Sequence, residues 1–161
     1  MSDTDEIDRK IVELLMEDGR MAAAEIARRI GGGISERVVR YRINRMIDEK
    51  VFQIRPIVSP QAFGLTTRAD VVLEVESDAI MQVARKAMEY EQVTYSACSI
   101  GEMDVSIQVV GRDTAEIYQF VTEVIGKMPG VRKTTTSIVP IVLKDVYQWR
   151  IPRGAGREKN A

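Results

Sequence analysis

The stretch "RRIGGGISERVVRYRINR", residues 28 to 45, sets six arginines around three consecutive glycines. Glycine is costly inside a helix and at ease where the chain turns, so the run separates two helical segments. Before it, Ile26, Ala27 and Ile30 share one helical face. After it, Ser35 has the side chain of an N-cap, and the spacing predicts a helix from there to about Glu49. Two helices joined by four glycine-rich residues are the local pattern of a helix-turn-helix.

Upstream, Ile7, Ile11, Leu14 and Leu15 fall at i, i+4, i+7 and i+8. They predict an amphipathic helix over 4–18 that Gly19 stops, with Asp3 and Glu6 spaced for a capping box. Downstream, "VFQIRPIV" alternates as the strand or hairpin of a winged helix-turn-helix would, with Pro56 confining it to an edge.

At about 100° per residue, the helix after the glycines turns Val39, Ile43, Met46 and Ile47 toward the core. Arg37, Arg40, Tyr41 and Asn44 then form an outward stripe, flanked by Arg45 and entered past Ser35 and Glu36. Arginine suits phosphates or guanine O6 and N7, asparagine suits adenine N6 and N7, and tyrosine suits a phosphate or a stacked ring. Glu36 can accept from a cytosine amino group or favour the helix N-terminus. These seven residues are the candidate contacts to double-stranded DNA. Arg42 lies nearer the core flank and is expected to pair with an acid of the first helix.

The charge pattern agrees. The net charge of the 161 residues is −1, but residues 20–55 hold nine basic and four acidic side chains, against two and seven in 1–19 and twelve and thirteen in 56–161. One basic segment in an otherwise acidic chain is the footprint of a phosphate-binding surface. A helical segment of this size is marginal alone, so support from its neighbour or from oligomerisation is expected.

Beyond "PIVSPQAFGLTTR" the periodicity changes. "RADVVLEVE" alternates, residues 78–90 return to helical spacing through Ile80, Ala84, Ala87 and Met88, and "VTYSACSI" reads as a strand. "GEMD" turns into the alternating "VSIQVVG", and a second helix follows over about 114–127. Pro129-Gly130 suits a type II turn, and "RKTTTSIVPIVLKDV" closes as a β-rich run. The order β-α-β-β-α-β is the ferredoxin-like arrangement, with helices on one face of the sheet. Val139, Ile141 and Leu143 point to a partner, most economically a second copy in a homodimer. The fold class is thus α+β: a winged helix-turn-helix over 1–55, a linker over 56–67, a ferredoxin-like domain over 68–149, and a flexible basic tail over 150–161.

What is missing narrows the chemistry. Without histidine there is no Ser-His-Asp triad and no histidine-ligated metal, and Cys98 alone makes neither a disulfide nor a zinc site. Gly31 to Gly33 lack the preceding strand and following Lys-Ser/Thr of a phosphate loop. No cofactor, no metal and no enzymatic activity are expected. The acidic, polar start and the lack of a long apolar run predict a cytoplasmic protein with no membrane association. In the turn "SIGEMDV", Gly101 permits close approach of another backbone and Asp104 could accept an ammonium group, with Ser99 and the threonines at 134–136 as polar neighbours.

Taken together, "DEIDRKIVELLMEDGR", "AEIARRI", "SERVVRYRINRMIDEKVF", "IGEMDVSIQVVG" and "MPGVRKTTTSIV" resemble the Lrp/AsnC, or feast/famine, transcriptional regulators over about residues 5–145. The resemblance implies dimers built through the sheets, often rings of dimers. It also implies an amino acid or related metabolite bound between effector domains near the Gly-x-x-Asp turn. Matched by motif, that points to Gly101 and Asp104, with Ser99, Ile100, Thr134 and Thr136 as neighbours. The extra glycines, Ala22 in place of a Ser or Thr cap, and Lys50 in place of glycine depart from the family pattern. The sirohaem decarboxylases resemble the same two-part fold but use histidines, which this chain lacks.

Overall fold

The computed structural model describes residues 4–152. The chain forms two compact units, one from residues up to Ile57 together with those from Asp145 onward, the other from Val58–Lys144.

The first unit holds three helices, α1 (Glu6–Glu17), α2 (Ala23–Ile30) and α3 (Glu36–Asp48). The cap of α1 is Asp5, whose carboxylate accepts from the Asp8 N–H while that of Asp8 accepts from the Asp5 N–H. This is the expected capping box two residues further on; Asp3 lies outside the described residues. α2 stops where Gly31, Gly32 and Gly33 take φ of 72°, 66° and 76°, a left-handed run suited to glycine. Ile11, Leu15, Ala23, Ile26, Val39 and Met46 form the core, with Ile43 packed on its edge. Ile47, expected inside, is 37% exposed. The buried line of α3 runs between Val39 and Met46, and Ile47 is roughly 80° round from Val39.

The expected wing forms no strand among the described residues. Residues 51–58 pair with no strand among the described residues. Pro56 has no N–H to give to such a ladder. Residues 145–152, expected to end the second domain and begin the tail, group with the helices instead. A short 3-10 turn at Val146–Gln148 is capped by Asp145, and Arg9 Nη2 donates to the Pro152 carbonyl at 2.9 Å. Residues 153–161, the rest of the expected tail, lie outside the described residues.

The second unit contains β1 (Thr67–Val75), α4 (Ile80–Ala87), β2 (Val93–Cys98), β3 (Val105–Gly111), α5 (Thr114–Glu123) and β4 (Val131–Ile138). The strands form an antiparallel sheet in the order β2-β3-β1-β4, the ferredoxin-like topology. Ala69, Val71, Leu73 and Val75 of β1 alternate inward beside Val105, Ile107 and Val109 of β3, and α4 and α5 cover them with Val83, Ala84, Ala87, Ile117, Phe120 and Val121. Met88, expected in the core, follows the end of α4 and is 65% exposed. The Pro129-Gly130 turn closes with Val131 N–H on the Met128 carbonyl, and Gly130 sits at φ 89°. A Cβ there would stand 2.4 Å from Ala79 Cβ. β4 is shorter than the β-rich run suggested: after Val139 N–H bonds the Arg68 carbonyl, Pro140 offers no donor, and Ile141 and Leu143 lie exposed outside the ladder.

Candidate nucleic-acid interface and effector turn

Ser35 fixes the start of α3. Its side-chain oxygen accepts from the Val38 N–H at 3.3 Å, so Ser35 is first a cap. Past it, Arg37, Arg40, Tyr41 and Asn44 all stand exposed along one side of the helix, Tyr41 at 67%. Arg37 pairs with no acid among the described residues. Arg40 leans back along the helix, where Nε donates to Glu36 Oε1 at 2.8 Å. Such an exposed i, i+4 pair is weak and can be exchanged for a phosphate. A hollow of about 280 Å³ opens beside Arg40, Ile43 and Asn44 of α3, bounded by Met21, Ala22 and Ala23 at the start of α2. Ala22 is the N-cap of α2 and supplies no side-chain bond.

Arg45 differs from its neighbours. Its Nη2 donates to Asp8, a carboxylate only 1% exposed, and its Nε is buried without a hydrogen-bond partner. Arg42 makes the pairing expected of it, with Nη1 on Asp5 Oδ2 at 2.7 Å and on Asp8 Oδ1 at 2.9 Å. These bonds hold the Arg42 guanidinium more firmly protonated than usual, Asp8 contributing most and Asp5 next. Burial would raise the Asp5 carboxyl, but the Asp8 N–H and the Arg42 guanidinium outweigh it and hold Asp5 below its ordinary value. Arg28 and Arg29 share Glu25, and Arg29 also meets Glu17. The basic segment is thus more internally compensated than its charge count implied, which leaves Arg37 as its most available guanidinium on α3.

The second candidate region is the turn between β2 and β3. Ile100 is fully exposed and Gly101 sits at φ 144°. Asp104 is tied three ways: its carbonyl accepts from the Ser99 N–H at 2.9 Å, its N–H donates to the Leu73 carbonyl at 3.0 Å, and its Oδ2 accepts from the Val75 N–H at 2.7 Å. The last bond satisfies a donor on the β3 side of β1 that lies beyond the end of the β1–β3 ladder at the Leu73–Val105 pair. Oδ1 is left without a donor among the described residues. Thr134 pairs with Leu73 and Thr136 with Val71, on the far side of β1 from Asp104. They lie roughly two strand spacings, about 9–10 Å, from the turn, so this unit alone does not bring all six residues together.

The comparisons with known proteins meet both regions. Residues 5–47 match the AsnC-type helix-turn-helix domain, and residues 69–148 match the Lrp/AsnC ligand binding domain. The chain belongs to the Lrp/AsnC family. An uncharacterized HTH-type transcriptional regulator of Pyrococcus abyssi is 37% identical over 144 residues, 89% of this chain and 90% of its own. Two solved structures share the fold at 23% identity: E. coli AsnC, with a TM-score of 0.79 over 89% of this chain and 98% of its own, and a Neisseria meningitidis transcriptional regulator in complex with L-Met, with 0.80 over 88% and 93%. The protein is therefore an Lrp/AsnC-type transcriptional regulator, with a DNA-binding helix-turn-helix and a small-molecule-binding domain.

Nothing in the spacing betrayed the structural bond of Asp104 to Val75, because the alternation of β1 does not show where its ladder with β3 ends. The buried Asp8 was legible only in part. Its place on the inner side of α1 follows from helical period, but its second arginine, 37 residues away, does not.

Proposed function

We propose that α3 enters the major groove and that Arg37, Arg40, Tyr41 and Asn44 make its contacts, with Ser35 and Glu36 at the leading end. The observation that carries this reading is the exposed stripe itself, in which Arg37 is uncompensated and Arg40 is held only by a surface pair. Asn44 can read adenine bidentately, and the arginines can read guanine or hold phosphates. As a homodimer, or a ring of dimers, the protein offers two such helices to half-sites about one helical turn apart. The exposed apolar residues Ile141 and Leu143 support assembly of this kind.

The effector is an amino acid or a related small metabolite, bound at the turn formed by Ser99, Ile100, Gly101 and Asp104 and closed by residues such as Thr134 and Thr136 from a neighbouring effector domain. Asp104 Oδ1 would take the ammonium group while Oδ2 keeps Val75. The separation of the turn from the two threonines within one unit favours a site completed by a second copy, and the L-Met bound by the Neisseria relative supports the ligand class. Binding that differs between two assemblies would alter DNA affinity by linkage.

Titration against DNA at about 50 and 200 mM salt tests the reading. Affinity should fall by orders of magnitude between the two, and Arg37→Ala with Arg40→Ala should abolish most of it. Full affinity in that double variant would refute the assignment of the stripe. Addition of the common amino acids one at a time should shift the affinity in the parent protein and not in Asp104→Ala.

A further inference from the structure

α3 carries four arginines within nine residues, yet only two of them face outward. Arg45 lies roughly 80° round the helix from Arg37, close enough for so long a side chain to reach a phosphate beside the groove. It is turned the other way. Asp8, the one buried charged residue among the described residues, accepts from Arg45 Nη2 and from Arg42 Nη1, and Asp5 takes a second bond from Arg42. Two carboxylates thus face two guanidiniums, and the group is close to neutral. The inward pull leaves Arg45 Nε buried without a hydrogen-bond partner, in a long ion pair with Glu49 Oε2 at 4.0 Å. An arginine free on this flank would have found better bonding on a phosphate.

We propose that Asp8 is a specificity-determining residue for DNA binding: by sequestering Arg45 beside Arg42 it withholds a phosphate contact that would tighten the protein on every sequence alike. Phosphate contacts carry affinity without sequence information, whereas base contacts carry discrimination. A regulator that holds back one guanidinium lowers its hold on random DNA and keeps the weight of binding on Arg37, Arg40 and Asn44. The inference rests on α3 being the face that meets DNA. It goes beyond that reading in giving the first helix a part in choosing among sequences, although Asp8 need not touch DNA.

The test compares the full-length protein with Asp8→Asn, Arg45→Met, the Asp8→Asn/Arg45→Met double variant, and Arg37→Ala. Two probes are used, a random-sequence duplex and the tightest duplex enriched from a randomised pool. Asp8→Asn should bind random DNA more tightly, with a salt slope steeper by about one, as one added phosphate contact requires, and with a ratio of selected to random affinity reduced several-fold. Arg45→Met should leave the slope unchanged, because Arg45 is already withheld. The double variant should restore the parental slope and ratio, which no loss of helix stability would do.

If Asp8→Asn fails to fold, Arg45→Met decides alone, since a slope lower by about one would place Arg45 on DNA and overturn the proposal. An unchanged slope in a folded Asp8→Asn, or a double variant that does not revert, overturns it equally. Arg37→Ala separates the two levels: a slope lowered by about one, or a reduced ratio of selected to random affinity, with no effect of Asp8→Asn sinks the Asp8 role only, while an unchanged slope together with an unchanged ratio sinks the reading of α3 and this inference with it.

Discussion

The helical unit and the sheet unit close their cores by different means. In the sheet unit fifteen buried residues, apolar without exception, form one cluster between the strands and α4 and α5. In the helical unit the buried cluster has six, and beside it lies the Asp5–Asp8–Arg42–Arg45 group that joins the start of α1 to one flank of α3. A unit of about fifty residues buries too little apolar surface to be comfortable, and directed polar bonds supply both cohesion and orientation. The difference teaches that α3 is aimed as well as held, and that charge does the aiming.

Truncations should expose the contrast most strongly. Leu73→Ala, at a fully buried position of β1, should cost the sheet unit about 3–5 kcal/mol in denaturant unfolding, through lost burial and an unfilled cavity. In the helical unit Asp8→Ala should cost about 3 kcal/mol, because it strands two partly buried guanidiniums while Asp5 still serves one of them. A loss below about 1 kcal/mol would mean that the ion group is ornamental to stability and that the six apolar residues suffice.

Arg37→Ala sharpens the comparison from the other side. It should leave the unfolding midpoint in place and weaken DNA binding by about 1–3 kcal/mol in a gel shift, separating arginines that hold the helix from those that use it. Ser35→Ala, which removes the cap of α3, should cost about 1 kcal/mol of stability, and circular dichroism melts would show it.

The smallest effect is on pH. Asp5 titrates below its ordinary 3.8, so its stabilisation is complete above that value and is lost as pH falls through the lower folded one. Stability followed into acid should therefore decline below about pH 4, and Asp5→Asn should make that limb shallower. An acid limb identical in the variant would show that the carboxylate adds nothing beyond its capping geometry.

Much of this was legible because period and punctuation are local. The inward alternation of β1 and β3, the glycine stop after α2, the Ser35 cap and the Pro129-Gly130 turn each follow from residues within a few positions of one another. Arg42 could be matched to an acid of α1 because both lie on inner flanks. The departures are long-range. Arg45 was expected to flank the outward stripe, but Asp8 takes it, and residues 51–58 alternate like a strand but pair with none among the described residues. The candidate effector residues were gathered by motif, whereas the register of β4 sets Thr134 and Thr136 across β1 from Asp104. Helical period cannot see a partner 37 residues away, and alternation cannot see which strand will lie on which side of its neighbour.

The helical unit is also discontinuous: its chain leaves at Ile57, and Asp145 begins the segment that rejoins it, with Arg9 bonded to the Pro152 carbonyl. On the ribosome the helices are made before the sheet unit, and the segment that completes their unit is made after it. At about 5–20 residues per second, the whole sheet unit emerges during roughly 4–17 seconds in which the helices exist without their closing segment. The recognition helix is therefore made before the sheet unit but belongs to a unit completed only after it, so a chain that stops before Asp145 carries the arginines without the completed unit that presents them.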